Sequence, residues 1–193
     1  MNKVFLLLSL MITSNAWSDD FSAPIVDGQC NIKVTDALKY FNTLGAKDAS
    51  VNNQVLYFDD LGVNGTTNQV NAVTNQTGAL ATIFIKNLHT DSDLVDFIRV
   101  STNLSFIDKQ NSKYPTTAIG TTLDPKGAAY ASLSLGRQYC GVVSLFGQQF
   151  ESGYLPVFAK HDGQSELIGA LYVGFPVISP ADPSSLRTIK HPI

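Results

Sequence analysis

The stretch "QYCGVVSLFGQQFESGYLPVFAKHDGQSELIGALYVGFPV" (138–177) decides the fold class of this 193-residue chain. It contains three long runs rich in β-branched and aromatic residues, at 138–147, 148–160 and 166–177, with the turn signal "HDGQ" before the last run. Long strands joined by tight turns favour antiparallel pairing. No regular alternation of strands with helices is visible. The pattern therefore predicts an α+β protein with a central antiparallel sheet.

Two short helices are predicted upstream of this sheet. The first has Thr35 or Asp36 as its N-cap and ends near Gly45. The second is one or two turns long and contains Val70 and Val73, and the sequence "NQTG" ends it.

A hairpin and a third helix follow. The segments "ALATIFI" (79–85) and "VDFIRVSTNL" (95–104) are apolar and β-branched, and they predict the two strands of the hairpin. Asp124 is predicted to cap the third helix, with Pro125 at its first position and Gly136 just past its end. This helix is expected to be about ten residues long, as the capping signals indicate.

The first residues, "MNKVFLLLSLMITSNAWSDD", have the layout of a secretory signal peptide: Lys3, an apolar run and then small residues. The apolar run is too short to cross a bilayer, which takes about 20 residues. We predict a signal peptide at 1–16, cleaved after Ala16, and cleavage after Ser18 is the alternative. The mature protein is then exported, periplasmic or secreted, with no transmembrane segment.

Composition and motifs exclude several classes of function. The chain has 13 basic and 16 acidic residues and no basic patch, which argues against nucleic acid as a partner. The chain has three histidines, and none of them has a second metal-ligating residue at helical or hairpin spacing: His89, His161 and His191. No nucleophile-elbow, zinc-protease or nucleotide-binding motif occurs. We therefore predict that the protein is not an enzyme and has no cofactor and no metal.

The chain contains two cysteines, Cys30 and Cys140. An even count in an oxidising compartment predicts a disulfide, and two buried free thiols are the alternative. The bridge would close a loop of about 110 residues and contribute up to about 4–5 kcal/mol by chain-entropy arithmetic. It would tie the N-terminal segment to the C-terminal half of the sheet.

Five blocks stand in one order between about residue 69 and residue 177: "TGALATIFI", "DFIRVSTN", "AIGTTLDPKGAAYASLSLGRQYCG", "LFGQQFESGYLPV" and "ELIGALYVGFPV". Together they resemble single-Cache extracellular sensing domains of the Cache 3/Cache 2 fusion type. The resemblance implies a PAS-like fold with a central antiparallel sheet of about five strands, an N-terminal helix behind it, and a short helix covering a pocket. We expect the domain at 24–178 and a poorly ordered tail at 179–193.

The resemblance also implies a function. Such domains form the outer part of chemoreceptors and sensor kinases and bind small molecules, often short carboxylates. This chain departs from the usual pattern, because relatives lie between two transmembrane helices and are followed by signalling modules. Leu155 stands where an acidic residue is common, Asn71 stands where aspartate is common, and Gly45 breaks the N-terminal helix. These departures concern the ligand and the signalling route rather than the fold.

Arg99 interrupts a predicted strand, and arginine is seldom buried without a partner. Strand alternation puts Arg99, Ser101 and Asn103 on one polar face. The other face then carries Ile98, Val100 and Thr102. We predict that the polar face lines the pocket, where the guanidinium matches a carboxylate and the other two side chains add hydrogen bonds. The alternative is an arginine that faces water at the edge of the sheet, and a bulge would change the faces.

Two tyrosines complete the predicted ligand site. Tyr154 offers an apolar ring and a hydroxyl, and a core tyrosine bonded to backbone is the alternative. Tyr130 lies in the helix that the resemblance places over the pocket. Phe84 and Phe146 are predicted to be core residues, and either could form a pocket wall.

The sequence leaves three functions open. The first is an exported sensory domain that binds a small organic acid and reports to a membrane receptor or kinase, in chemotaxis or another signal-transduction system. The second is a periplasmic interaction protein that retains the fold without a ligand. The third is an enzyme on this fold, which the lack of catalytic motifs disfavours. Both a monomer and a homodimer are compatible with the sequence.

Overall fold

The computed structural model of the protein describes residues 26–87, 96–107, 114–161 and 163–177. The helices in these ranges are α1 (Ile32–Asn42), α2 (Asn68–Thr77) and α3 (Ala128–Ser134). The strands are β1 (Val26–Gly28), β2 (Ala49–Asn52), β3 (Val55–Phe58), β4 (Leu61–Gly62), β5 (Leu80–Lys86), β6 (Phe97–Thr102), β7 (Ser105–Ile107), β8 (Pro115–Thr117), β9 (Gln138–Leu145), β10 (Gln148–His161) and β11 (Gln164–Pro176). The predicted signal peptide and C-terminal tail lie outside the described residues.

The main sheet has six strands in the order β1-β9-β10-β11-β5-β6. Its five long strands pair with one another in antiparallel orientation, as the sequence predicted. The sixth, β1, has three residues and pairs in parallel with β9. Strands β10 and β11 form the longest hairpin, which runs in register from Phe150 and Pro176 to His161 and Gln164, with one bulge. Two small sheets, β2-β3-β4 and β7-β8, lie outside the main one.

Helix α1 packs directly on the middle of the main sheet. Val34, Leu38 and Phe41 recur at helical spacing and are buried. Gly153 in β10 permits this contact, because a Cβ atom there would lie 2.5 Å from Val34 and 2.7 Å from Leu38. The helix begins at Asn31, whose Oδ1 accepts a hydrogen bond from the backbone N–H of Val34 at 3.1 Å. Helix α2 packs into the same core through Val70 and Val73, so both helices cover one face of the sheet.

The predicted caps of α1 and α3 are wrong. Helix α1 starts one turn before Thr35 and Asp36, because Asn31 is an equally good cap and precedes the first buried residue of the helix. Helix α3 follows Gly127, since the side chain of Asp124 accepts from the backbone N–H of Lys126 in a local turn instead.

The predicted helix ends are confirmed where glycine supplies a left-handed conformation. Gly136 has a φ of 68° after α3, and its N–H donates to the carbonyl oxygen of Leu133 at 2.8 Å. Gly78 has a φ of 76° and ends α2. Helix α2 is longer than predicted, with ten residues, and its residues Val70 and Val73 are fully buried.

The predicted disulfide between Cys30 and Cys140 is confirmed, with a Cα–Cα distance of 4.9 Å. It joins the segment after β1 to β9, and Gly28 stands opposite Cys140 in the parallel pair. A Cβ atom on Gly28 would collide with the carbonyl oxygen of Cys140. The N-terminal segment is thus fixed to the sheet by both a covalent bond and a close backbone contact.

The main sheet has two apolar faces with separate cores. The helix face carries Ile83, Leu171 and Val173, which pack with α1 and α2. The aromatic face carries side chains that pack with α3: Phe84, Phe97, Tyr154, Ala170 and Tyr172. Within the described ranges, no helix has the length and apolarity needed to cross a bilayer.

Candidate functional site

Arg99 of β6 lies on the aromatic face and is only 4% exposed, so the alternative of a water-facing arginine is wrong. Its Nη1 donates to Oγ1 of Thr121 at 2.8 Å and to the carbonyl oxygen of Thr122 at 3.0 Å. Its Nε is buried and has no hydrogen-bond partner. Among the residues that the structure describes, no carboxylate is within ion-pair distance of the guanidinium. A buried cation in this state is a candidate anion-binding group.

Two aromatic rings lie against the guanidinium of Arg99. Its Cζ atom is 4.8 Å from the ring centroid of Phe84 and 5.6 Å from that of Phe146. Both distances are within the range of cation–π attraction, which partly offsets the loss of hydration. Phe84 is in the core as predicted, but the prediction of a core residue is wrong for Phe146, which is exposed at a hairpin tip. Both rings contact the cation.

The predicted alternation along β6 is wrong, because the strand contains a bulge. Ser101 stands opposite Ile83, while Arg99 stands opposite the next residue, Phe84. Val100 is thus an extra residue on β6, and it turns to the helix face. Arg99 consequently shares its face with Thr102 rather than with the other two predicted polar residues.

The structure does not bring Ser101 and Asn103 to the guanidinium. The hydroxyl of Ser101 donates to the carbonyl oxygen of Thr66, just before α2, at 2.6 Å. The Nδ2 of Asn103 donates to the carbonyl oxygen of Val70 at 3.1 Å, and its Oδ1 accepts from the N–H of Ala81 at 2.8 Å. Both side chains join α2 to the helix face and have their hydrogen-bonding groups engaged there.

Three tyrosines form a row across the aromatic face. Tyr139, Tyr154 and Tyr172 stand opposite one another on β9, β10 and β11. The ring centroids of Tyr154 and Tyr172 are 4.9 Å apart, and those of Tyr139 and Tyr154 are 6.1 Å apart. Tyr154 was predicted from the sequence, but the other two were missed.

A row of small residues lies beside the tyrosine row on the same strands. Gly141, Ser152 and Gly174 stand opposite one another. A Cβ atom on Gly174 would collide with the hydroxyl of Tyr172, and one on Gly141 would lie 2.6 Å from that of Tyr139. The small residues therefore provide the space that these hydroxyls occupy. The recurring pattern Tyr-x-Gly, at 139–141 and 172–174, is the sequence signal that could have identified both tyrosines.

Burial shifts the pKa values of three residues at the site, and none of these shifts changes a charge state at neutral pH. It raises the pKa of Tyr154 far above its ordinary value and raises the pKa of Tyr172 to about 12, with the positive charge of Arg99 opposing both shifts. Burial also lowers the pKa of Arg99, and the two tyrosines oppose that shift. At neutral pH the tyrosines are therefore neutral hydrogen-bond donors beside a cation. The hydroxyl of Tyr172 also lies 3.4 Å from Oγ of Ser152.

Helix α3 brings Tyr130 to the same face. The ring of Tyr130 packs edge-to-face against Phe97 of β6, with centroids 5.9 Å apart, and it is partly buried. Ala129 and Leu133 anchor the helix in the core of the aromatic face. Of the five predicted ligand residues, three thus share one face of the sheet: Arg99, Tyr130 and Tyr154.

The segment that holds Arg99 in place was missed as a functional element. Residues 118–123 run along the outer edge of β6, where the N–H of Arg99 donates to Thr121 at 3.0 Å and the N–H of Gly120 donates to Arg99 at 2.8 Å. Nothing in its residue types indicates that Thr121 and Thr122 bind a guanidinium, since that contact depends on which strand the segment lies beside.

A separate cavity of about 330 Å³ lies on the helix face, and none of the five predicted ligand residues lines it. Its wall includes Asn64, whose side chain is already engaged with the N–H of Leu56 and the carbonyl oxygen of Gln54. Among the described residues, no group of three or more His, Cys, Asp or Glu side chains could hold a metal ion. The chemistry of the site therefore rests on Arg99, its aromatic walls and the tyrosine hydroxyls.

A central antiparallel sheet with helices on one face, and a buried arginine among aromatic residues on the other, define an α+β domain of PAS-like architecture. The family model described as the Cache 3/Cache 2 fusion domain matches residues 32–182, which is more than half of the chain. The chain therefore belongs to this family of extracellular sensing domains. No curated protein matches it, and neither does any solved structure.

Proposed function

We propose that this domain is a sensor that binds a short carboxylate at Arg99. The observation that carries the proposal is the buried guanidinium with an unpartnered Nε and no carboxylate partner among the described residues. Removing a charge from water costs several kcal/mol unless a counter-ion and hydrogen bonds compensate for it. A ligand carboxylate supplies both, so its binding free energy includes the relief of that cost.

The neighbouring groups fit a small acid. Nη1 is engaged with Thr121 and Thr122, whereas Nε is buried without a partner, so the Nε side of the guanidinium is the edge that can donate to a carboxylate. Tyr154 and Tyr172 are neutral at pH 7 and can donate to an anion without repelling it. The hydroxyl of Tyr130, which lies on α3, adds a further hydrogen-bonding group. We therefore infer a ligand with one carboxylate and a small apolar body.

The wider role follows from the family. We propose that the mature domain is exported to the periplasm or secreted, after removal of the signal peptide at 1–16, and that it reports ligand occupancy to a membrane receptor or kinase. The leader-like sequence at the N-terminus and the sensory character of the family support this proposal. Identification of the N-terminal residue of protein isolated from the cell envelope tests the cleavage.

A thermal-shift screen of short organic acids and amino acids tests the binding proposal. A ligand present at 100 times its dissociation constant adds about 2.7 kcal/mol to the free energy of unfolding. Each kcal/mol raises the melting temperature of a domain of this size by about 2–4 °C. A true ligand is therefore expected to raise the melting temperature by about 5–10 °C.

Substitution of Arg99 distinguishes a binding role from a structural one. Arg99→Met is expected to abolish the ligand-induced shift and to leave the unliganded domain at least as stable as the parent, because it removes an uncompensated buried charge. Arg99→Lys is expected to recover only part of the shift, since an ammonium cannot make the two-pronged contact. Arg137→Met is the control: Arg137 is exposed and pairs with Asp27 at 4.0 Å, so this variant is expected to retain the full shift.

Two outcomes count against the proposal. If Arg99→Met binds an identified carboxylate as tightly as the parent, the arginine is not the anion site. If no acid stabilises the parent while Arg99→Met unfolds at a much lower temperature, Arg99 is a structural residue. The second result would favour the alternative function, an envelope interaction protein that retains the fold without a ligand.

A further inference from the structure

The tip of the β9–β10 hairpin has an unusual residue. Leu145 and Gln148 pair, which leaves Phe146 and Gly147 as a two-residue turn. Both have positive φ, 53° for Phe146 and 85° for Gly147. Turns with positive φ at both positions favour Asn-Gly or Gly-Gly, because a Cβ atom is crowded in the left-handed region. A phenylalanine at the first position therefore needs a compensating contact.

The compensating contact lies over the candidate site. The ring of Phe146 stacks on Phe106 of β7, with centroids 4.3 Å apart and planes 8° apart. The same ring faces the guanidinium of Arg99. The strained turn thus holds an aromatic ring against the buried cation Arg99, and a strained residue at such a place is a reason to consider a functional role.

Of the described aromatic side chains around the guanidinium, Phe146 is the most exposed. Phe84, Tyr154 and Tyr172 are buried within the sheet, and Thr121 is bonded to the arginine itself. Phe146 is 46% exposed and lies at the end of a hairpin. Its only other described ring contact is the stack on Phe106.

We infer that Phe146 is a gate that controls access to Arg99. In the ligand-free protein its ring covers the guanidinium, and a ligand reaches the Nε edge when the ring leaves Phe106. This inference rests on the proposed function, because it concerns the same site. Because the ring lies at the tip of the hairpin, it can leave Phe106 without loss of the sheet.

The reactivity of Arg99 toward phenylglyoxal, an arginine-specific reagent, tests the gate without any ligand. Modified protein is digested and the Arg99 and Arg137 peptides are quantified by mass spectrometry over time. Arg137 is the internal reference, because its side chain is 42% exposed and its ion-pair partner is Asp27, which is not a residue of the candidate site. In the parent, Arg99 is expected to react at least about tenfold more slowly than Arg137, as a covered group should.

Three variants separate the effect of the Phe146 ring on the Arg99 reaction rate from the effect of the turn conformation. Phe146→Asn keeps a residue that adopts the left-handed region readily and removes the ring, so the Arg99 rate is expected to rise about tenfold while the Arg137 rate is unchanged. Phe106→Ala removes the platform and is expected to raise the Arg99 rate as well. Phe146→Tyr keeps both ring and strain and is expected to react as the parent does.

The gate is overturned if Phe146→Asn leaves the Arg99 rate unchanged, or if Arg99 in the parent already reacts as fast as Arg137. It is also overturned if both arginines react faster together in Phe146→Asn, since that result indicates general unfolding. None of these results depends on a carboxylate ligand. A failed gate therefore leaves the proposed function standing, whereas a failure of the proposed function is detected by the ligand screen and not by the phenylglyoxal rates.

Discussion

The hydroxyls of Tyr154 and Tyr172 set a pH limit on the stability of the domain. Burial raises the pKa of both above the ordinary value of 10, to about 12 for Tyr172. Below pH 10 both tyrosines are neutral in the folded and in the unfolded chain. Above pH 10 the unfolded chain loses these protons first, so the free energy of unfolding falls by about 1.4 kcal/mol per pH unit for each tyrosine.

Thermal unfolding between pH 8 and pH 12 tests this limit. We expect a constant melting temperature up to about pH 9.5 and a steep fall above it, as the linkage relation requires. Tyr172→Phe should have a shallower fall, because one of the two linked protons is absent. A melting temperature that is independent of pH up to 11 would show that the tyrosine hydroxyls are accessible to water.

Gly174 is essential for the position of Tyr172. We expect Gly174→Ala to destabilise the domain by about 1–3 kcal/mol, because the new methyl group overlaps the buried tyrosine hydroxyl. Gly62→Ala in β4 is the matched control, since its Cβ atom would make only ordinary contacts, at 3.4 Å or more. Equal melting temperatures for the two variants would contradict the crowding. Adding Tyr172→Phe to Gly174→Ala should recover part of the loss.

At the scale of elements, β1 depends on the disulfide. It has three residues and forms a parallel edge, which is too little pairing to hold it in place alone. We expect reduction of the Cys30–Cys140 bridge to lower the free energy of unfolding by up to about 4–5 kcal/mol. The melting temperature with and without reductant measures this loss, and the Cys30→Ser, Cys140→Ser double variant should not respond to reductant. A parent that is equally insensitive would mean that the bridge does not form in solution.

The elements that the sequence predicted well are those defined by local signals. The long strands β9, β10 and β11 have continuous β-branched and aromatic runs and short turns, so their existence required no tertiary information. The bulge at Val100 could not be predicted, because alternation assumes one residue per step. The same limit explains why Ser101 and Asn103 were expected beside Arg99: one extra residue moved them to the helix face.

At the scale of the whole molecule, the candidate site depends on register between distant segments. Arg99 and Tyr154 could be chosen as candidate ligand-binding residues from their own strands alone. The alignment of Tyr139, Tyr154 and Tyr172 into one row arises only from the pairing of three strands, and the contact of Thr121 with Arg99 arises only from the path of a loop. The sequence therefore predicted the fold class and the disulfide, and it singled out Arg99. The residues that surround Arg99 could be identified only from the structure.

The close contact between α1 and Gly153 has a consequence for coupling across the sheet. Gly153 and Tyr154 are neighbours in β10, so that a single peptide unit separates the tyrosine row from the side chains of α1. A displacement of the Tyr154 ring therefore acts on backbone whose other side is already filled by Val34 and Leu38. Free-energy changes made on the two sides of this point will not add independently. Substitutions that reshape the tyrosine row therefore have to be chosen together with the residues of α1 that pack on Gly153, although α1 lies on the opposite face of the sheet.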